Sequence, residues 1–284
     1  MKIKGRKVLK TAVIMLVSIV FTTLSINAAD TFDHPSDSLI ASVLRGFGKK
    51  APCVDGMAFV ATESGGFCVD AYENSAGSGC QYKTPQNQTE ARVNLEQPDC
   101  KPVSEPERLP WRQVSNSQAV LACTKAGKRL PTNREWYLAS LGTPDGLAGL
   151  GKAGCNIGNS SSGADPYRVR DKCVSVAGAY DMIGNVWEWV DGTVSSSTLQ
   201  GRTLPASGYI HGVDSDGVPT ETNDTPDPNF SGDYFWVDSV GIMGMFRGGF
   251  WGKADEFGIY AIYAASPPSF AGEAVGFRCV KAVE

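Results

Sequence analysis

The sequence predicts an α+β domain that is poor in regular secondary structure and stapled by disulfides. Three observations predict it. Two helix starts marked by capping boxes lie mid-chain, and residues 246 to 280 break into short strand-like pieces punctuated by glycine. With 32 glycines and 16 prolines in 284 residues, the rest of the chain must turn often and can hold few long helices. Eight cysteines, an even number with no CxxC pair, fit four disulfides better than a zinc site. Only His34 and His211 are available to complete such a site.

Taken in order, the chain opens with a basic start (Lys2, Lys4, Arg6, Lys7, Lys10), an apolar run from Thr11 to Ile26, and the small residues Ala28 and Ala29. This is the layout of a secretory signal peptide, assigned to residues 1–28 with cleavage near Ala28. An uncleaved N-terminal anchor is the alternative, although the run falls short of the roughly 20 residues a membrane span needs. Removing the signal takes away five of 26 basic residues and none of 30 acidic ones, so the mature chain carries a net charge of −9. An acidic surface without basic clusters argues against nucleic acid and anionic lipid as partners. An apolar content of 42% is enough for a core within one large domain, assigned to residues 51–284.

Residues 29–50 read as a linker or arm, with a short helical piece around Ser38 to Arg45. Phe67 to Tyr72 alternates like a half-buried strand, and 74 to 108 reads as loop clipped by Cys80 and Cys100. Ser115 to Gln118 is a capping box, followed by Ala119, Ala122, Cys123 and Ala126 at helical spacing and stopped by Gly127. Thr132 to Glu135 is a second capping box, with Trp136 in the first turns. Beyond 141 come a Gly/Ser-rich loop to Ala164, an aromatic segment from Tyr180 to Trp189, and polar loop from Gly192 to Asp233. Short strands follow at Phe246 to Trp251, Ile259 to Tyr263 and Gly276 to Val280. The Asn87 and Asn159 glycosylation triplets, and the calcium-loop-like Asp214 to Gly217, read as plain surface loop.

Four segments in this order resemble the formylglycine-generating enzyme, or sulfatase-modifying factor, family: FCVDAYE (67–73), AGKRLPTNREW (126–136), AYDMIGNVWEW (179–189), and FRGGFW (246–251) with GFRC (276–279). The resemblance implies a large variant of the C-type-lectin-like fold. It also implies a disulfide between Cys123 and Cys279 that ties the ends of the domain together. Proximity in sequence assigns the other pairs as Cys53–Cys68, Cys80–Cys100 and Cys155–Cys173.

In that family two cysteines between the RGG and GFR frames bind copper and oxidise a substrate cysteine. Between Gly249 and Gly276 this chain has no cysteine, so the soft thiolates that hold Cu(I) are missing and no copper is expected. No catalytic residue is assigned. The resemblance implies a structural calcium site instead, with side-chain oxygens of Asp181 and Glu188 and backbone carbonyls of Gly184 and Val186. A second family site would begin at Asn156 and Ile157, but the loop after them does not match.

The stretch that lacks the cysteines, Phe250 to Phe270, resembles the variable region of proteins diversified by retroelements, which use this fold to carry a changeable binding face. Phe250, Asp255, Phe257, Tyr260, Tyr263 and Ser266 are the expected ligand contacts, since aromatics give large contact area at low entropy cost. For Phe257, Tyr260 and Tyr263 a place in the core is the equal alternative, and Trp251 is assigned to the core. The function expected is an exported, non-catalytic binder of a protein or glycan, whether secreted, periplasmic or displayed on the cell surface. The alternatives are an oxidoreductase of the family's type and a structural envelope protein.

Overall fold

Three sheets, three short α-helices and one 3-10 turn (Pro228–Phe230) are the regular elements among the described residues of this computed structural model, 53–145, 154–158, 162–165, 172–252 and 257–283. These residues all fall in one unit, Pro52–Glu284. The signal-peptide and linker assignments, the helical piece at 38–45, the Asn159 triplet and Asp255 lie outside the described residues.

The chain enters as a hairpin of β1 (Met57–Thr62) and β2 (Gly65–Asp70). A two-residue ladder follows between β3 (Ser75–Ala76) and β4 (Pro102–Val103). Between them lies α1 (Gln88–Glu96), where the sequence reading placed loop. Asn87 is its N-cap, accepting from the Glu90 amide at 3.0 Å, and Ala91, Asn94 and Leu95 are its buried face. The two helices predicted from their capping boxes are α2 (Asn116–Lys125) and α3 (Asn133–Ser140), and both boxes close reciprocally. Gly127 ends α2 at φ +70, its N–H bonded to the Thr124 carbonyl, a left-handed position that glycine takes without strain.

The main sheet has nine strands among the described residues: β5 (Trp187–Ser195), β6 (Thr198–Leu199), β7 (Arg202–Thr203), β8 (Gly208–Val213), β9 (Pro219–Asn223), β10 (Tyr234–Val237), β11 (Ile242–Arg247), β12 (Ile262–Ser266) and β13 (Val275–Gly276). Its order is β7-β6-β5-β11-β12-β10-β8-β9, with β13 on β5. The segment 192–233, read from sequence as polar loop, therefore supplies both ends of this sheet. Its strands are polar because they sit at or near the edges, where one side faces water.

Alternation along the central strands divides the core. Val190, Met245, Ile262 and Ala264 join a cluster with Trp136 on one face. Trp187, Trp189 and Phe246 join Trp111, Phe257 and Phe277 on the other. The last strand, β14 (Val280–Ala282), pairs with β2, so the end of the domain returns to its start. Asp70 clasps that junction: its carboxylate accepts from the Cys279 amide at 3.0 Å and from Asn74, and it pairs with Lys128. Disulfides join Cys53–Cys68, Cys80–Cys100, Cys123–Cys279 and Cys155–Cys173, the expected pairs.

Candidate binding cavity

The RGG frame bends the chain sharply after β11. Gly248 and Gly249 both sit at φ +90, and a Cβ on Gly249 would strike the Phe257 ring. Two successive residues in this conformation turn Phe250 and Trp251 back over the face that carries Trp187 and Phe246.

There they close a cavity of about 480 Å³, within the size range of small-molecule sites. Six aromatic side chains wall it: Trp187, Phe246, Phe250, Trp251, Tyr263 and Phe270. The register sets the floor, because Phe246 lies opposite Tyr263 on β12 and opposite Trp189 on β5. Ser266 and Glu273 are the polar residues of the lining. Phe270, 41% exposed, stands at the mouth, 6.0 Å edge-on from Phe246.

Of the six contacts expected from sequence, Phe250, Tyr263 and Ser266 line this cavity. Phe257 is core: it is 4% exposed, edge-on to Trp187 at 5.0 Å and 5.8 Å from Trp236, so it supports the cavity wall from behind. Tyr260 stands elsewhere. Asp233 accepts from its amide at 2.8 Å, and its ring packs 5.2 Å from Phe230 and 6.0 Å from Tyr137, away from the cavity. Trp251, assigned to the core, is 9% exposed and also lines the cavity. Trp187 and Phe246 were missed as site residues, although Trp187 alternates with Trp189 in the NVWEW motif and so had to share its face.

Beneath the opposite face lies a buried polar nucleus. Arg247 is fully buried, its guanidinium 5.0 Å from the Trp136 ring, and burial pulls its pKa down to about 9. Asp233 caps the turn after Phe257 by accepting from the Tyr260 and Ala261 amides; burial, then the Asp145 charge, holds its carboxyl well above the usual range.

Of the four residues implied as calcium ligands, Glu188 has its carboxylate engaged by protein donors. Both oxygens of Glu188 are taken by Arg278, at 2.6 to 2.9 Å, and Oε2 also accepts from Trp136 Nε1 at 2.7 Å. A cation bound there would face a guanidinium. Among the described residues no three His, Cys, Asp or Glu side chains group as a metal site.

Residues 58–283 match the model of the sulfatase-modifying factor enzyme 1-like domain. The chain belongs to this family. Its fold is accordingly the C-type-lectin-like one, here with few helices, a large curled sheet and four disulfides. The "Inactive C-alpha-formylglycine-generating enzyme 2" of Bos taurus is 30% identical over 142 residues, 42% of this chain and 46% of that relative. The "Formylglycine-generating enzyme" of Thermomonospora curvata is 36% identical over 97 residues, 28% of this chain and 32% of that relative. The aligned segments thus span less than half the length of these curated relatives. Among solved structures, the "Major Tropism Determinant I1 Variant" is similar at 18% identity and a TM-score of 0.45, covering 81% of this chain and 53% of that one. "Treponema denticola variable protein 1" is similar at 17% and 0.45, covering 83% and 94%.

Proposed function

We propose that this protein is an exported binding protein, built on the sulfatase-modifying-factor scaffold but without its cysteine-oxidising chemistry. One observation carries the reading: the segment between the RGG and GFR frames, where the family's enzymes place their copper cysteines, here walls an aromatic cavity. All eight cysteines are spent in disulfides, which leaves no thiolate for Cu(I). One relative carries the word inactive in its own name, so members without this chemistry exist within reach of this sequence. Four disulfides also call for an oxidising compartment, which supports export.

The partner is a protein or glycan that inserts a side group between Phe250, Tyr263 and Phe270. If the wall is diversified, change is confined to Phe250, Tyr263, Ser266, Phe270 and the loop between, because Phe257, Ala261, Ile262 and Ala264 are core. A reverse-transcriptase gene beside this one, with a near-copy of the segment encoding 250–270, would be its genomic companion.

The test is binding of the purified mature chain to peptide and glycan arrays, repeated with Phe250→Ser and Tyr263→Ser. Hits that vanish in both variants support the reading. Hits that persist in both would move binding to another surface. Conversion of a cysteine peptide to formylglycine in the presence of copper and oxygen, read by mass spectrometry, would overturn the non-catalytic assignment.

A further inference from the structure

We infer that the cavity is an aromatic cage for an organic cation, a quaternary or alkylated ammonium group, with Glu273 as its counter-charge. This inference rests on the binding reading above and names the chemistry of the group that enters.

The wall rings are all tilted against one another, by 40° for Phe246 and Tyr263 and 43° for Trp187 and Phe246 and more steeply for the other pairs. Phe250 and Trp251 cross at 80°, Phe246 and Phe270 at 69°, and Trp187 and Tyr263 at 52°, with centroids 5.5 to 6.0 Å apart. A flat aromatic ligand wants two near-parallel walls. Rings set around a volume from several directions instead suit a compact, nearly spherical group that touches all of them. Each ring presents a negative face or a positive edge according to its tilt, and a cation placed over the faces of Trp and Tyr is drawn to their quadrupoles.

The charges agree with a positive guest. Glu273 is the one charged residue of the described lining, and among the described residues no cation lies within ion-pair distance of its carboxylate. Arg112 sits between Glu273 and Trp251 without lining the cavity: its guanidinium carbon is 6.0 Å from the Trp251 centroid, and its Nη1 donates to the Glu273 backbone carbonyl at 3.1 Å while leaving the carboxylate unpaired. The ring therefore already keeps company with one cation. A carboxylate guest would meet Glu273 and a chain of net charge −9 once the signal is removed, and is disfavoured on both counts. A neutral apolar guest would use the rings but give Glu273 no role.

The experiment uses the full mature chain, with tryptophan fluorescence and calorimetry as readouts and two probes: choline and its uncharged tert-butyl isostere, which has the same shape. Choline is expected to bind about tenfold or more tightly than the isostere, the difference that a desolvated cation over several rings supplies. Glu273→Gln, at an exposed position, should weaken choline severalfold and leave the isostere unchanged. Trp251→Leu should weaken both. Equal affinity for the two probes, or no binding of choline at millimolar concentration, overturns the cation inference. Neither result touches the broader binding reading, which stands or falls on whether array hits depend on Phe250 and Tyr263.

Discussion

Glu188 and Arg278 form an ion pair at 2.6 Å with both side chains shut off from water, 1% and 0% exposed. Arg278 belongs to the GFRC segment that leads into β14 and Glu188 to β5, so the pair ties the entry to the domain's last strand to the main sheet. The guanidinium also donates to the carbonyls of Asp70, at 3.0 Å, and Tyr180, at 2.8 Å, and Trp136 completes the carboxylate from α3. Removing one member leaves a charge stranded in the core, which typically costs about 3–5 kcal/mol. Arg278→Met should therefore lower the urea-unfolding free energy by that amount, while the double change Arg278→Met with Glu188→Leu should recover much of it. A loss below about 1 kcal/mol in the single variant would show that water reaches the pair.

The same pair bears on calcium. Because Glu188 already has its cation, chelation with EDTA followed by calcium addition should leave the melting temperature unchanged, as read by differential scanning calorimetry. A calcium-dependent rise would require Arg278 to release Glu188, and that exchange would be visible as loss of the rise in Glu188→Gln.

The two mid-chain helices were legible because their signal is local: Ser115 with Gln118, and Thr132 with Glu135, each satisfy two amides within one turn. The same kind of signal marked α1, where Asn87 precedes Glu90 by three residues and Ala91 and Leu95 follow at helical spacing. It was hidden by the turn-forming residues on both sides. The outer strands of the main sheet were not legible, since Thr198–Leu199 or Pro219–Asn223 acquires strand character only from a partner elsewhere in the chain. The site divided in the same way. Composition pointed to an aromatic face between residues 250 and 270, but only the path of the backbone shows that Phe257 points inward, that the Tyr260 ring packs on Phe230 and Tyr137, and that Trp187 joins from another strand.

The disulfides set a direct chemical expectation. Denatured, unreduced mature protein should show no thiol in a colorimetric titration, since every cysteine is paired. Cys123–Cys279 closes a loop of 156 residues, against 15 to 20 for the other three. In the chain-entropy model a loop of that length is worth about 4 kcal/mol or more, and the short loops about 3 kcal/mol each. The paired change Cys123→Ala with Cys279→Ala should accordingly destabilise more than the equivalent removal of Cys80–Cys100; the reverse order would show that native contacts, rather than closure, hold the C-terminal strand.

Stability should fall as the solution is taken from mildly acidic to neutral pH. Burial, then the Asp145 charge, raises the carboxyl of Asp233; burial, then Asp181 and Glu188, raises Glu73; burial raises Asp70 against the pull of Lys128. Each of these shifts favours the protonated form in the folded chain relative to the unfolded one, whose carboxyls titrate near about pH 4, so unfolding becomes easier as pH rises from there through the window up to the folded values. Glu135 acts in the other direction. Burial pushes it up, but bonds from Arg129 and Thr132 outweigh this and hold it low, so its contribution is lost only on stronger acidification. Urea unfolding across this range should show the decline, and Asp233→Asn, which mimics the protonated acid, should flatten it. A profile that rises toward neutrality would mean that these carboxylates are ionised with partners of their own.

Core and binding roles in the aromatic segment separate by substitution. Phe257 is packed against Trp187, Trp236 and Phe250 and is 4% exposed, so Phe257→Ala should cost about 3–5 kcal/mol in unfolding experiments. Phe270 pairs its ring with Phe246 and is 41% exposed, so Phe270→Ala should cost less than about 1 kcal/mol. Its effect should instead appear in ligand binding, because it forms the mouth of the cavity. The comparison discriminates: a scaffold whose aromatic face exists only to hold the fold together would lose stability at both positions and binding at neither. A binding cavity built on a packed support loses stability at Phe257 and affinity at Phe270.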